Sequence, residues 1–398
     1  MSHPVQISLI LLVFTICASP ADLALVGARI YPAPEASQIV DGSILIRDGK
    51  IVAVGDRSQV KVPASATRVD CKGLVVTAGF WNCHVHFSEP KWENAASLPA
   101  SRLGEQVRDM FARWGFTSVF DTGSLLPNTK AIAHRIEARE FPGPMILSAG
   151  VPFTSKDATP YYLKPLKLPE LENPEQARAM ARARLDEGAD AIKIFQGAWV
   201  SPNEVVPMRV ELVKAVAAVA HSRAKPLLAH PSDARGLASA IEGGVDVLTH
   251  LVEVPGDVDP ATIAAIKSRH MAVIPTLKLF SRGSNADKLV DQLREFSDAG
   301  VQILFGTDVG FLTDYDPGVE YRLMDRAGLT FPRILASLTT SPAARYGFSQ
   351  RKGRVAPGMD ADLVVLASDP VEEVAAFTDV KYTLVKGSIT FMRGSGSE

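Results

Sequence analysis

From Gly79 to about Phe348, short apolar segments rich in β-branched residues alternate with longer helix-like ones, and this alternation restricts the fold more than any other feature. Strand candidates fall at the residues leading into His84 and at 117–120, 145–147, 191–195, 226–229, 245–248, 272–275 and 303–305. Helix-like stretches run over 103–114, 174–187, 208–222, 234–242, 261–269 and 286–299. Asn173-Pro174 and Asp259-Pro260 read as helix starts, and Gly188 and Gly300 as helix ends. Eight β/α units in about 270 residues predict an α/β chain folded as a (β/α)8 TIM barrel. A doubly wound open sheet is the alternative, but no G-x-G-x-x-G phosphate turn supports it.

The flanks read differently. Residues 22–78 show short alternating strands, with Arg47-Asp48-Gly49-Lys50 as a hairpin turn. After the barrel, β candidates recur at 363–366, 380–385 and 388–392. The economical arrangement is one small β-sandwich domain built from both chain termini. The expected division is therefore a signal peptide at 1–21, sandwich strands at 22–78 and 351–393, the barrel at 79–350, and a disordered tail at 394–398.

Residues 7–18 are apolar but too short for a comfortable membrane span, and Ser19-Pro20-Ala21 resembles a secretory cleavage region. Export to the periplasm or beyond is expected, against the lack of Lys or Arg in residues 1–6; otherwise the chain is cytoplasmic. Cys17 follows Phe14-Thr15-Ile16, which lacks the small residue that precedes a lipidated cysteine. Three cysteines cannot build a disulfide framework. A net charge of −2 gives no basis for binding nucleic acid or an anionic membrane.

Barrels place active sites at the C-terminal ends of their strands, and metal-binding residue types recur there. His84 and His86 end the first strand on one face, with Val85 on the other. Lys193 lies in the fourth, His230 ends the fifth, His250 the sixth and Asp308 the eighth. Lysine between Ile192 and Ile194 is unusual, because an unpaired buried ammonium is costly. It faces the site, or faces outward under the helices, or belongs to a structural ion pair. Six such residues on five strand ends point to a metal site. His134, His221 and His270 fall in helices or a turn and read as structural. Asp121, after the second strand, either caps the next element or orients a histidine.

These segments resemble the amidohydrolase superfamily, in its imidazolonepropionase-related and prolidase-like branch. The resemblance rests on Gly79 through His86, the G-A-D-A-I-K-I segment around Lys193, A-H-P at His230, L-T-H at His250, G-T-D at Asp308 and the run from Gly358 to Leu366. It implies two divalent metal ions, most simply Zn2+. His84, His86 and Asp308 would hold the inner ion and His230 and His250 the outer one, with carboxylated Lys193 bridging both. It further implies metal-activated hydroxide as nucleophile and Asp308 as the catalytic proton shuttle. The expected substrate is a small molecule with an amide bond, in a dipeptide, N-acyl amino acid or cyclic amide, the dipeptidase version being favoured. An esterase or lactonase and an inactive scaffold homologue are the alternatives, and a homo-oligomer fits as well. The long loops at 152–171 (Tyr161, Tyr162, Lys164, Lys167), 87–98 (Trp92) and 196–199 (Trp199) are candidates to cover the site.

Overall fold

The computed structural model describes residues 22–254 and 258–394. The export signal expected over 1–21, and residues 395–398 of the expected tail, lie outside the described residues.

Eight parallel strands carry the middle of the chain: β1 (Phe80–Val85), β2 (Phe116–Asp121), β3 (Met145–Ser148), β4 (Ile192–Phe195), β5 (Leu227–His230), β6 (Val247–Thr249), β7 (Ala272–Ile274) and β8 (Gln302–Ile303). They pair as a three-stranded sheet β1-β2-β3 and a five-stranded sheet β4 to β8 in order. Backbone bonds also cross between the two sheets. Asp190 N–H donates to Ser148 O (2.7 Å) and Phe195 N–H to Phe153 O (2.8 Å) on one side. Cys83 N–H donates to Phe305 O (2.7 Å) and Asp308 N–H to His84 O (2.9 Å) on the other.

The strands are buried on both faces, which is why they read as apolar runs. Phe80, Val85, Ile192, Ile194 and Leu248 pack toward the helices, with Leu212, Val216 and Phe296. Trp81, Cys83, Ala191, Leu228 and Val247 belong to a separate inner cluster, where Tyr346 stacks on Trp81 at 5.8 Å.

Helices Ala100–Met110, Pro174–Asp186, Val210–Ser222, Ala234–Gly243, Pro260–Ser268 and Ala286–Asp298 lie near the expected stretches. Asn173 and Asp259 cap two of them, accepting from Gln176 N (3.0 Å) and Thr262 N (2.7 Å). Three helices after β8, Gly318–Arg326, Phe331–Leu338 and Thr340–Arg345, were not expected as separate elements. They are six to nine residues long, too short for helical periodicity to stand out.

Strands from both ends of the chain share one eight-stranded sheet. In it Val75–Ala78 pairs with Leu363–Leu366, which is followed by Val380–Val385 and Ser388–Met392. The apolar run before the histidine pair therefore belongs to this sheet, and Gly79 alone separates it from β1. Among the described residues no helix is long and apolar enough to cross a membrane.

The approach of the segment after β8 to the end of β1 depends on Gly310. Its φ is +97°, and a Cβ there would lie 1.9 Å from the His86 carbonyl oxygen, which is backbone and cannot yield. Gly310→Ala is expected to destabilise the fold by roughly 2–3 kcal/mol or more; a urea midpoint unchanged from that of the native sequence would contradict this.

Candidate metal centre

Five of the six expected residues lie at or past the C-terminal ends of the parallel strands and Lys193 lies within β4, and small departures from strand regularity aim the histidines. On β1, Trp81 and Cys83 already face the inner cluster, so simple alternation would turn His84 outward. A register irregularity between Asn82 and Val85 resets the pattern. His84 and His86 then share a face, while Val85 packs toward the helices. On β6, Val247 faces inward and Leu248 outward, so residue 250 would also point outward. His250 has φ +95°, and its ring instead meets His84 (4.6 Å between centroids) and His230 (4.5 Å). On β4, Ile192 and Ile194 pack toward the helices and Ala191 inward, which puts Lys193 on the inner side.

His84, His86 and Asp308 converge most tightly, with ligand atoms within 4.8 Å of one another. Asp308 Oδ1 is 3.2 Å from His84 Nε2 and 2.8 Å from His86 Nε2. His250 and His230 form a second pair beside His84. Lys193 is buried, and its Nζ has no hydrogen bond or ion pair among the described residues.

The tautomers follow from partners that leave no choice. His86 Nδ1 lies 3.2 Å from the Gly123 carbonyl, which can only accept, so Nδ1 carries the proton. Thr276 Oγ1 donates to Pro275 O (2.7 Å) and so accepts from His250 Nδ1 at 2.6 Å. Nε2 of His86 faces Asp308, and His250 likewise has Nε2 free for a ligand.

Burial dominates the electrostatics. It pushes His84 down to about 3 against the opposing pull of Asp308, and holds His250 well below the ordinary histidine value, with help from His230. Both rings are neutral at physiological pH. Burial pushes Lys193 down to about 7, with Asp308 opposing. For Asp308 burial acts upward, but His84 and His86 outweigh it and keep the carboxylate ionised, well below its usual range.

These residues suit a cation. Asp308 Oδ1, His84 Nδ1 and His230 Nε2 are buried without a correctly aligned hydrogen-bond partner among the described residues. The 2.8 Å approach of His86 Nε2 to Asp308 Oδ1 is close but misaligned, so proximity there is not a hydrogen bond. Neutral imidazole nitrogens and a carboxylate oxygen converging in this way form a typical divalent-metal donor set.

Several supporting residues could not be assigned from the sequence. Asn82 donates to Thr307 Oγ1 (2.7 Å) and accepts from Thr307 N–H (3.2 Å), tying the H-x-H strand to the G-T-D turn. Asp121 does not touch a histidine. It accepts from Ser124 Oγ (2.7 Å), Thr129 Oγ1 (2.9 Å), Ser148 Oγ (2.7 Å) and Gly123 N–H (3.2 Å), and so shapes the turn whose carbonyl orients His86. Glu320 is fully buried and accepts from Lys278 N–H (2.7 Å), at the start of the helical turn Leu277–Phe280 that follows Thr276. Glu253, three residues after His250, puts Oε1 2.6 Å from His230 Nε2. Its other oxygen accepts from the Trp199 indole (2.9 Å).

Among the expected covering residues, Tyr162 lies near the centre. Its hydroxyl is pushed up by burial and then by the Glu253 and Asp308 carboxylates, and its ring meets Phe311 at 6.3 Å. Trp92 is fully buried against Phe87 and serves as packing. Lys167 is exposed and its ion-pair partner is Glu170.

Residues 75–390 match the amidohydrolase family, to which the chain therefore belongs. Its fold is the TIM-barrel type of that family, with mixed α/β content. Curated relatives include ochratoxinase of Aspergillus niger, 21% identical and aligned over 91% of this chain and 84% of the relative. Another is dihydroorotase of Lactococcus lactis subsp. lactis, 23% identical over 92% of this chain and 98% of the relative. Among solved structures, a Xaa-Pro dipeptidase with bound methionine superposes with TM-score 0.80 at 19% identity, covering 93% of this chain and 99% of that one. A prolidase complexed with N-methylphosphonate-L-proline gives 0.77 at 24%, covering 93% and 99%. At these identities the structural likeness speaks for the fold alone.

Glu320 yields a pH test away from the ligands. Burial pushes its carboxyl up to about 8, from 4.5 in an open chain, against the backbone N–H groups of Lys278 and Leu277. The folded protein thus holds this proton more tightly than the unfolded chain. The associated stability is complete below about pH 4.5 and is lost as pH rises toward about 8. Glu320→Gln keeps an acceptor but cannot ionise. Its melting temperature relative to the native sequence should rise between pH 5 and pH 8; a constant offset would contradict a neutral Glu320.

Proposed function

We propose that the chain is a two-metal hydrolase of carbon–nitrogen bonds, cleaving an amide in a dipeptide, an N-acyl amino acid or a cyclic amide. The observation that carries this reading is the convergence of ligand atoms of His84, His86 and Asp308, with Asp308 Oδ1 lacking an aligned hydrogen-bond partner and His230, His250 and an unpaired Lys193 beside them. On this reading the eight strands close as a (β/α)8 barrel, supported by the backbone bonds across both sheet boundaries. The terminal strands form the sandwich domain, supported by apolar clusters on both sides of their sheet. Relatives and neighbours named as dipeptidase, prolidase and ochratoxinase favour hydrolysis, and the first two favour an amide.

His84, His86 and Asp308 would hold the inner ion and His230 and His250 the outer one, zinc being the simplest choice for this nitrogen-rich set. Lys193 is suited to become the bridge between them. With its amine pushed down to about 7, a substantial fraction is neutral near physiological pH and free to attack carbon dioxide. The N–C bond forms, one proton leaves, and the product is a carbamate with one negative charge shared over two oxygens. A divalent pair held by these residues would supply Lewis acidity for the scissile carbonyl and would lower the pKa of bound water towards neutrality. Asp308, ionised among its histidines, is placed to take the proton of the attacking water and pass it to the departing amine. The turns bearing Gly123 and Thr276 keep His86 and His250 in the tautomer that a ligand requires.

Asp308→Asn is expected to lower kcat by about 10²–10⁴-fold on whichever substrate a panel of dipeptides, N-acyl amino acids and lactones identifies, with the fold intact. Near-native turnover would sink the shuttle assignment. Lys193→Ala should lose metal as well as rate, and two ions per chain in that variant, by elemental analysis, would refute the bridge.

A further inference from the structure

We propose that Tyr162 and Phe311 wall an apolar subsite at the mouth of the metal centre, so that the preferred substrate carries an aromatic or large aliphatic group beside the scissile amide; this deepens, and rests on, the amide-hydrolase reading above. Among the described residues, five of the large apolar side chains that stay exposed are Leu125, Tyr161, Tyr162, Leu166 and Phe311. All five lie on segments that leave the C-terminal ends of β2, β3 and β8, the face that also bears the candidate ligands. Scattered exposed hydrophobics are ordinary, whereas rings gathered beside a reactive centre mark a ligand surface.

The rings meet across the mouth. Tyr161 lies 5.6 Å from Tyr162, and Tyr162 lies 6.3 Å from Phe311, centroid to centroid. Tyr162 belongs to the segment after β3 and Phe311 to the turn after β8, where its N–H donates to Asp308 O at 3.2 Å. Since β8 bonds to β1, and β1-β2-β3 form one sheet, this contact passes over the ends of β1 and β2. His84 and His86 lie at the end of β1. The rings are thus neighbours of any amide bound by those residues.

Packing does not account for them. Tyr161, Tyr162 and Phe311 are members of none of the apolar clusters among the described residues. The segment bearing the tyrosines is held by other side chains. Ala158, Leu163 and Leu168 pack with Phe195 and Ala198, and the Arg184 guanidinium lies over the Phe153 ring at 4.9 Å. Tyr162 is 40% exposed and Phe311 49%. Covering such rings with an apolar group is favourable in proportion to the area removed from water. A phenyl group would complete an edge-to-face cluster with two rings already set at this spacing. A carboxylate side chain would lose hydration there and gain no counter-charge from either ring.

The test measures kcat/KM on the full-length, zinc-loaded protein for substrates that differ in one side chain. Alanyl-phenylalanine and phenylalanyl-alanine are each compared with alanyl-alanine, and N-acetyl-phenylalanine with N-acetyl-alanine. In at least one comparison phenylalanine should be favoured by about tenfold or more. Phe311→Ala should cut that ratio to about threefold or less, mainly through a higher KM for the phenylalanine substrate, with zinc per chain unchanged. Tyr162→Ala should move the ratio the same way, and carries the test if Phe311→Ala does not fold. Tyr162→Phe keeps the ring and should keep the ratio. Equal rates in every comparison, or faster cleavage when glutamate replaces phenylalanine, overturn the proposal and leave the amide reading standing. So does a ratio that survives both alanine variants, or one that Tyr162→Phe abolishes, since the hydroxyl would then be the selective group. Cleavage of no amide in the panel overturns the reading and the proposal together.

Discussion

A carboxylate held ionised with 4% of its surface exposed is the constraint around which the site is built. Burying Asp308 opposes its charge, and the groups that face its carboxylate are the imidazole nitrogens of His84 and His86. Those imidazoles are themselves aimed by hydrogen bonds or strand irregularities rather than by chance. The interaction is close but incomplete, because Oδ1 finds no aligned donor. A small cation shared by the three residues completes it more simply than any rearrangement of the side chains.

The scaffold accepts strain to maintain this arrangement. Ser232, His250, Thr276 and Asp308 all have positive φ, at +50°, +95°, +48° and +59°, and each lies at or just beyond a strand end. Each such residue costs on the order of 1–3 kcal/mol. The compensation comes from the rigid parts around them: Asn82 joining β1 to the Thr307 turn, the Asp121 network under Gly123, and Glu320 beneath the turn that carries Thr276. Remote residues thereby set the direction of the candidate ligand nitrogens.

The eight strands and most helices were legible because β/α periodicity, caps and glycine stops are local signals, as at Asn173 and Gly188. The six candidate ligands were legible because each lies in or follows a recognisable strand. The direction of Lys193 was not, since Ile192 and Ile194 allow either face until Ala191 is seen inside. For His250, plain alternation would have given the wrong face, and only a left-handed φ turns it inward. Glu253, Glu320 and Asn82 stayed hidden because their roles come from contacts across the fold, such as Trp199 with Glu253, that no spacing encodes. The nearest sequence signal for Glu253 was its position three residues past His250.

The most direct test of the account is anomalous X-ray diffraction at the zinc edge, from crystals of the full-length protein grown with zinc. The account predicts two peaks per chain. One lies among His84, His86 and Asp308, the other is bonded to His230 and His250, and electron density extends from Lys193 Nζ to both. No peak among His84, His86 and Asp308, or a single peak that leaves Lys193 as a plain amine, would contradict it.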